Sequence, residues 1–86
     1  MNLTFRLTYH KGVLKFLDKR DNKTKIRIIS AWEGLKTIPF TGDIKELEGE
    51  SFLRLKVGSY RVLFSVDYIE QIVHIEAIGN RGDIYK

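Results

Sequence analysis

The sequence contains no cysteine, and this absence excludes disulfide bonds, thiolate metal ligands and a cysteine nucleophile. Small secreted domains often depend on disulfides, so a chain without them is expected to reside in the cytoplasm. The two histidines, His10 and His74, lie far apart and form no metal-ligand pattern. A glycine-rich phosphate loop and the GxSxG and CxxC motifs are also missing. We therefore expect neither a metal ion nor another cofactor.

Long apolar runs are missing as well. No segment approaches the length of a transmembrane helix. Residues 1–8 alternate between polar and apolar side chains instead of forming the apolar core of a signal peptide. The chain has 86 residues, of which 43% are hydrophobic and 30% are charged. This length and composition predict one soluble globular domain over residues 1–86.

Acidic side chains are fewer than basic ones. Eleven aspartates and glutamates oppose 15 lysines and arginines, which gives a formal net charge of +4 and an isoelectric point of about 9.5. A basic domain of this size favours an acidic partner. The charge therefore points towards a nucleic acid or an acidic protein segment, and we expect no membrane partner.

The first part of the chain predicts a strand followed by a helix. Residues 2–8 alternate between polar and apolar side chains and predict a half-buried strand. Thr8 is placed to cap a short first helix. Val13, Phe16 and Leu17 recur at helical spacing, so they are expected to share the buried face of that helix.

A short polar link separates this helix from a second one, which the pattern predicts over residues 23–36. Asp21 or Asn22 can cap its N-terminus. Because the link is short, the two helices are expected to form an antiparallel hairpin. Four apolar side chains at helical spacing predict its packing stripe, which could also receive a partner helix: Ile26, Ile29, Trp32 and Leu35.

The remainder of the chain is rich in Val, Ile, Phe and Tyr and predicts a sheet. Residues 44–49 fit either a short turn of helix or a strand. The expected fold is an α+β, β-α-α-β-β-β arrangement, with the N-terminal strand and the helical hairpin packed on a mainly antiparallel sheet. The three strand-like runs cover residues 51–57, 60–67 and 71–79, joined by turns at Gly58-Ser59 and Asp67–Glu70.

Three cations in the central strands are predicted to lie on one surface. Arg54 and Lys56 are two residues apart, so on a strand they project from the same face. Arg61 follows the Gly58-Ser59 turn and can lie across from that pair. Several cations on one surface are what a polyanion such as RNA requires.

The same stretch resembles a known family. The segments LRLKVGSYRVLF and IEAIGNRGDIYK are similar to the RelE/ParE superfamily, the toxins of type II toxin–antitoxin pairs. The resemblance is closest to the RelE-like mRNA interferases. It implies a RelE-like fold, a metal-independent endoribonuclease in which the 2′-hydroxyl of the RNA attacks the neighbouring phosphate, and dependence on the ribosome for presentation of the mRNA. It also implies a cognate antitoxin that neutralises the toxin, in a hetero-oligomer of the two proteins.

The resemblance assigns roles to particular positions. Arg61 matches the arginine that stabilises the phosphate, because a guanidinium presents forked donors to phosphate oxygens. Arg81 matches the arginine near the leaving group, and Tyr85 matches the tyrosine that stacks on a base. Asn80 stands where several relatives carry histidine. The family often has a C-terminal helix after this tyrosine, and we expect that helix to be missing because only Lys86 follows Tyr85.

The proton acceptor remains open. In the family, basic residues stand at the positions of Arg54 and Lys56, but arginine is a poor proton acceptor at neutral pH because its pKa exceeds about 12. Either Lys56 takes the proton, or no protein base acts and the site works by electrostatics and orientation. Arg54 is then a contact to RNA phosphates. Glu46 or Glu48 is a further candidate base, although both also fit a solvated turn.

Two other functions stay compatible with the resemblance. A ParE-like protein would poison DNA gyrase and leave RNA intact, although ParE-like proteins generally lack the nuclease residues. A non-catalytic module would only bind its antitoxin or nucleic acid, an alternative motivated by Arg54 and Asn80. His74 is expected to face solvent from a strand, on the same face as Glu76.

Overall fold

The computed structural model describes residues 4–47 and 51–80. One five-stranded sheet has the strand order β1-β5-β4-β3-β2. β1 pairs with β5 in parallel, and the other neighbouring strands are antiparallel. The predicted α+β class is therefore confirmed. In chain order the elements are β1 (Arg6–Tyr9), α1 (Lys11–Asp18), α2 (Asn22–Glu33), β2 (Asp43–Glu46), β3 (Leu53–Val57), β4 (Tyr60–Asp67) and β5 (Ile72–Asn80).

β2 is the element that the sequence left ambiguous. It pairs with β3 from Asp43 to Glu46 and adds an edge strand to the predicted order. Only Ile44 of its four side chains is apolar, so a burial pattern could not distinguish this strand from a turn. Its pairing with the next strand of the chain, β3, makes the segment a strand.

The first helix begins two residues later than predicted. Thr8 does not cap it, because β1 extends to Tyr9 along β5 and Thr8 lies in that strand opposite His74. His10 is the N-cap instead, and its Nδ1 accepts a hydrogen bond from the backbone N–H of Gly12 at 3.0 Å. The side chains that were predicted to face the core do so: Val13 is buried, and Phe16 and Leu17 pack against the core.

The second helix has the predicted cap but a different packing stripe. Asp21 is the N-cap, and its carboxylate accepts the backbone N–H of Thr24 at 3.1 Å. The helix ends at Glu33, with Gly34 as its C-cap. The buried side chains in this segment are Ile28, Trp32 and Leu35.

The predicted stripe was thus wrong in two of its four members. Ile26 is 65% exposed and Ile29 is 44% exposed. Ile28 replaces them, because it lies on the same helical face as Trp32 and Leu35 at the i, i+4, i+7 spacing. The predicted residues recur every three positions instead, and such a row drifts around an α-helix and leaves the buried face.

The helices cover one face of the sheet and form the core with it. Side chains alternate along β3 and β4, so Leu55, Val57, Val62 and Phe64 enter this core. Phe64 packs edge-on against Phe40 with ring centroids 6.1 Å apart. The opposite face of the sheet, which we call the open face, carries the intervening residues of the same strands.

A bulge in β5 preserves this separation of faces. Leu63 pairs with Ala77 and Phe64 pairs with Ile75, so Glu76 is an extra residue in the ladder. The insertion lets Ile75 and Ile78 both enter the core although they are three residues apart. Glu76 itself lies on the open face, where its carboxylate accepts a hydrogen bond from Ser65.

No helix in the described ranges 4–47 and 51–80 is both long and apolar enough to cross a bilayer.

Candidate nucleic-acid interface on the open sheet face

The β3–β4 hairpin brings the three predicted cations onto the open face. Lys56 lies directly opposite Arg61, and Arg54 lies opposite Leu63. The strands are joined by the predicted two-residue turn, in which Gly58 adopts a φ of 60°. This left-handed conformation favours glycine. The predicted co-location of Arg54, Lys56 and Arg61 on one face agrees with the strand register.

The two arginines are half-buried and hold N–H groups that lack acceptors among the described residues. The Arg54 side chain is only 17% exposed. Its Nη2 donates to Asp43 Oδ1 at 3.2 Å, whereas its Nε is buried without a hydrogen-bond partner. Nη1 of Arg61 is likewise buried and unpartnered. Each guanidinium has further N–H donors besides these buried ones, and hydrogen bonds from a guanidinium to an anionic oxygen are roughly twice as strong as neutral ones.

β2 contributes two residues that the sequence analysis missed. Asp43 pairs with Lys56, and Lys45 pairs with Arg54, so both side chains belong to the open face. Asp43 holds the guanidinium of Arg54 in place, and Lys45 adds an exposed cation at the edge. The alternation of charged residues around Ile44 was the signal available, but a single apolar residue was too little to identify the strand.

The register separates Glu46 from the cations. Glu46 pairs with Leu53, so it shares the side of the sheet on which Ile44 and Leu53 lie. It is exposed and projects away from the face that carries Lys56 and Arg61. The geometry does not bring Glu46 to the cationic site as a base.

A separate polar network occupies the other half of the open face. Thr8 Oγ1 lies 2.7 Å from His74 Nδ1, and Ser65 Oγ donates to Glu76 Oε2 at 2.7 Å. His74 Nε2 is 3.8 Å from the second carboxylate oxygen of Glu76. His74 and Glu76 thus share one face as predicted, with the His74 side chain 36% exposed. The Leu63–Ala77 pair separates this network from the cations, because it lies between the Arg61–Gly79 and Ser65–His74 pairs.

The remaining predicted positions lie at or beyond the end of β5. Asn80 is the exposed last residue of that strand and pairs with Tyr60, one position from Arg61. Arg81, Tyr85 and Glu48 lie outside the described residues. Within residues 4–47 and 51–80, no group of three or more His, Asp or Glu side chains could hold a metal ion.

Comparison with known proteins finds relatives along nearly the whole chain. The RelE1 protein of Methanocaldococcus jannaschii is 32% identical over 88 residues, which cover 98% of both chains. The solved RelE–RelB complex of Pyrococcus horikoshii OT3 contains a chain that matches with a TM-score of 0.81 and 28% identity, over 93% of this chain and 98% of that one. No family model matches the chain.

The isolated E. coli RelE toxin matches with a TM-score of 0.72 over 94% of this chain and 90% of its own. At 19% identity this likeness shows the fold alone. The fold and its relatives therefore define a class, the small α+β toxins of toxin–antitoxin systems. Within that class, the chain belongs to the RelE family.

Proposed function

We propose that this protein is a ribosome-dependent mRNA endonuclease that inhibits translation in the cytoplasm and is neutralised by a cognate antitoxin. The observation that carries the proposal is the Lys56–Arg61 pair on the open face, flanked by Arg54. Phosphate oxygens of RNA are acceptors with the charge and the geometry that guanidinium groups bind.

The proposed reaction is an internal transesterification. The 2′-oxygen of one nucleotide attacks the adjacent phosphorus, the bond from phosphorus to the 5′-oxygen breaks, and the products end in a 2′,3′-cyclic phosphate and a 5′-hydroxyl. A base accepts the proton of the 2′-hydroxyl, and a proton is delivered to the leaving oxygen. Cations must offset the charge that develops on the phosphoryl oxygens, and Arg61 is the residue assigned to this role.

Few side chains of the described site can accept or donate the protons that the reaction moves. Arg54 is held by Asp43, and arginine is in general a poor proton acceptor. Lys56 supplies the amine at the cationic site, and the His74–Glu76 network is separated from it by the Leu63–Ala77 pair. We therefore assign the 2′-hydroxyl proton to Lys56, or to no protein base if the ribosome orients the mRNA for attack. Dependence on the ribosome follows from this shortage of acid–base groups.

The assignments of Arg81 and Tyr85 complete the proposal. Arg81 would offset charge on the leaving oxygen and Tyr85 would stack on a base, a contact worth about 1–3 kcal/mol. Both follow Asn80, whose strand ends beside the hairpin that carries Arg61. The antitoxin is proposed because solved relatives are RelE–RelB complexes, including that of Pyrococcus horikoshii. An acidic or extended antitoxin segment that covered the open face would block these cations.

Primer extension on an mRNA in a reconstituted translation system tests the proposal. The protein should create new mRNA ends that need ribosomes, and Arg61→Ala and Arg81→Ala should strongly reduce them. Lys11→Ala is the matched control, because Lys11 is an exposed cation at the start of α1, on the helical side of the sheet. Intact mRNA in the presence of folded protein would contradict the proposal and favour gyrase poisoning or a non-catalytic module.

A further inference from the structure

The link between the two helices and the β3–β4 turn lie at the same end of the molecule. α1 starts beside the middle of β5, where the His10 N–H donates to the Ile75 carbonyl. It runs towards the end of the sheet, where the Phe16 ring meets the edge of Tyr60 at a centroid distance of 5.9 Å. Tyr60 pairs with Val57 across the turn. Cations of the helices and cations of the hairpin are therefore brought to one end.

Arg27 of α2 packs against this turn. A Cβ atom built on Gly58 would lie 2.9 Å from Arg27 Nη2 and 3.0 Å from its Cζ. Glycine at this position thus meets two needs: the φ of 60° and the space that the guanidinium occupies. Arg27 remains exposed while its head group rests on the turn between the strands of Lys56 and Arg61.

Arg20 is held at the same end by a different set of contacts. Its Cζ lies 4.2 Å from the centre of the Phe16 ring, and its Nε donates to the Phe16 carbonyl at 3.2 Å. The ring of Phe16 in turn contacts Tyr60. These contacts hold the side chain, and its guanidinium has further N–H donors at the two terminal nitrogens. A cation that is already ordered loses less entropy when it binds an anion.

Two acidic residues at this end are bound chiefly to other groups, and the pKa of Asp21 is lowered first by the hydrogen bonds from Thr24 and also by the charge of Arg20. The carboxylate of Asp21 accepts the N–H of Thr24 as the cap of α2, and Asp18 lies 3.9 Å from Lys25. They reduce the positive charge of the link without occupying the guanidinium of Arg27. The turn is consequently flanked by cations on both sides: Lys56 and Arg61 on the open face, Arg20 and Arg27 on the helical side.

We propose that Arg20 and Arg27 form a second RNA-backbone contact that continues the open-face site around the β3–β4 turn. The proposal rests on the proposed function, because it extends the same RNA-binding surface. It adds residues that contact phosphates away from the scissile bond and that take no part in proton transfer. The RNA backbone at this contact belongs either to the mRNA or to ribosomal RNA, since both present the same phosphates.

The salt dependence of binding measures this contact directly. Each phosphate that a cation neutralises on single-stranded RNA contributes about 0.7 to the slope of log K against log salt. The probes are a fluorescent single-stranded RNA with 2′-deoxy nucleotides, which cannot be cleaved by internal attack, and vacant small ribosomal subunits. Arg27→Ala should lower the slope by about 0.7 with at least one probe, and Arg20→Ala/Arg27→Ala by about 1.4.

Two variants control for lost charge and for changed shape. Lys11→Ala removes one positive charge from the opposite end of α1 and should leave the slope unchanged. Arg27→Lys keeps the charge and should keep the slope. A change only with ribosomal subunits would identify the backbone as ribosomal RNA, and a change with the oligonucleotide would identify it as the message.

Equal slopes for the wild type and Arg27→Ala with both probes would overturn the inference, as would absence of RNA binding by the wild type. These outcomes are separate from failure of the proposed function. If the slope falls in Arg27→Ala but the wild type cuts no mRNA during translation, the contact exists and the nuclease proposal fails. If mRNA is cut and the slopes are equal, the nuclease proposal stands and this inference fails.

Discussion

The two faces of the sheet differ sharply although the same strands build both. The face under the helices is apolar, and the buried residues among those described include no polar or charged side chain. The open face carries Arg54, Lys56 and Arg61 at positions that alternate with core residues of β3 and β4. Neighbouring residues therefore serve stability and binding separately, because successive side chains of a strand point to opposite faces. Substitutions one position apart should have effects of different kinds.

The largest expected effect is on the covered face. Phe64→Ala removes a fully buried ring that packs against Phe40, and such truncations cost about 3–5 kcal/mol. This is a large part of the free energy of unfolding of a small domain, which is about 5–15 kcal/mol. Urea denaturation should show the loss, while Leu63→Ala on the half-buried open face should cost clearly less. Equal losses for the two variants would contradict the assignment of faces.

The second effect concerns the cations of the open face. Arg61→Ala should lower the rate of mRNA cleavage on ribosomes by about 100- to 1,000-fold, because one charge-stabilising donor is lost from the transition state. The free energy of unfolding of this variant should differ from that of the wild type by only about 1 kcal/mol. The wild-type Arg61 side chain already buries one N–H that has no partner among the described residues, so its removal deletes no hydrogen bond of that group. Single-turnover cleavage and urea denaturation of one preparation check both values. If Arg61→Ala cleaves slowly and is also largely unfolded, the open face does not serve binding separately from stability.

A smaller effect is expected in the polar network of Ser65 and Glu76, on the other half of the open face. Ser65→Ala deletes the hydrogen bond to the Glu76 carboxylate, and bonds to charged groups contribute about 1.5–3 kcal/mol. Cleavage should be unchanged, because the Leu63–Ala77 pair lies between this network and Arg61. Thermal unfolding and the cleavage assay together test the division, with Ser59→Ala in the exposed turn as the control. A loss of cleavage at full stability would place Ser65 in the active site.

The smallest effect lies outside both faces, at the start of α2. Hydrogen bonds from the side chain and then the backbone of Thr24 hold the pKa of Asp21 below its ordinary value of 3.8. A lowered folded pKa means that the cap stabilises the fold above about pH 3.8 and that this stabilisation is lost as the pH falls through the folded value. Asp21→Ala should therefore be less stable than wild type at pH 6, with the gap closing towards pH 2. Denaturation midpoints across this range measure it, and a constant gap would contradict the cap.

The sequence predicted the hairpin well because local patterns determine it. Alternation through β3 and β4 placed Arg54, Lys56 and Arg61 on one face, and the Gly58-Ser59 turn set the register that puts Arg61 opposite Lys56. Asp21 was likewise identifiable as a cap, because its carboxylate bonds a backbone N–H only three residues away.

Features that depend on how one element packs or pairs with another could not be predicted as well. The stripe of α2 was a local error instead, because the predicted residues recur every three positions and drift around the helix, whereas Ile28, Trp32 and Leu35 keep to one face. β2 became a strand only through its pairing with β3, so Asp43 and Lys45 were missed. The packing of Arg27 on Gly58 joins residues 31 positions apart, and no local pattern signals it. The roles of Arg81 and Tyr85 remain predictions.

Photo-crosslinking from the two layers tests the central claim most directly, namely that the open face holds the RNA. A photoreactive amino acid would replace Lys45, which is exposed on β2 opposite Arg54, and in a second variant Leu14, which is 48% exposed on α1. Both variants would be added to translating ribosomes that carry a labelled mRNA. We predict crosslinks to the mRNA from position 45 and none from position 14. Crosslinks from position 14 alone, or equally from both, would contradict the account.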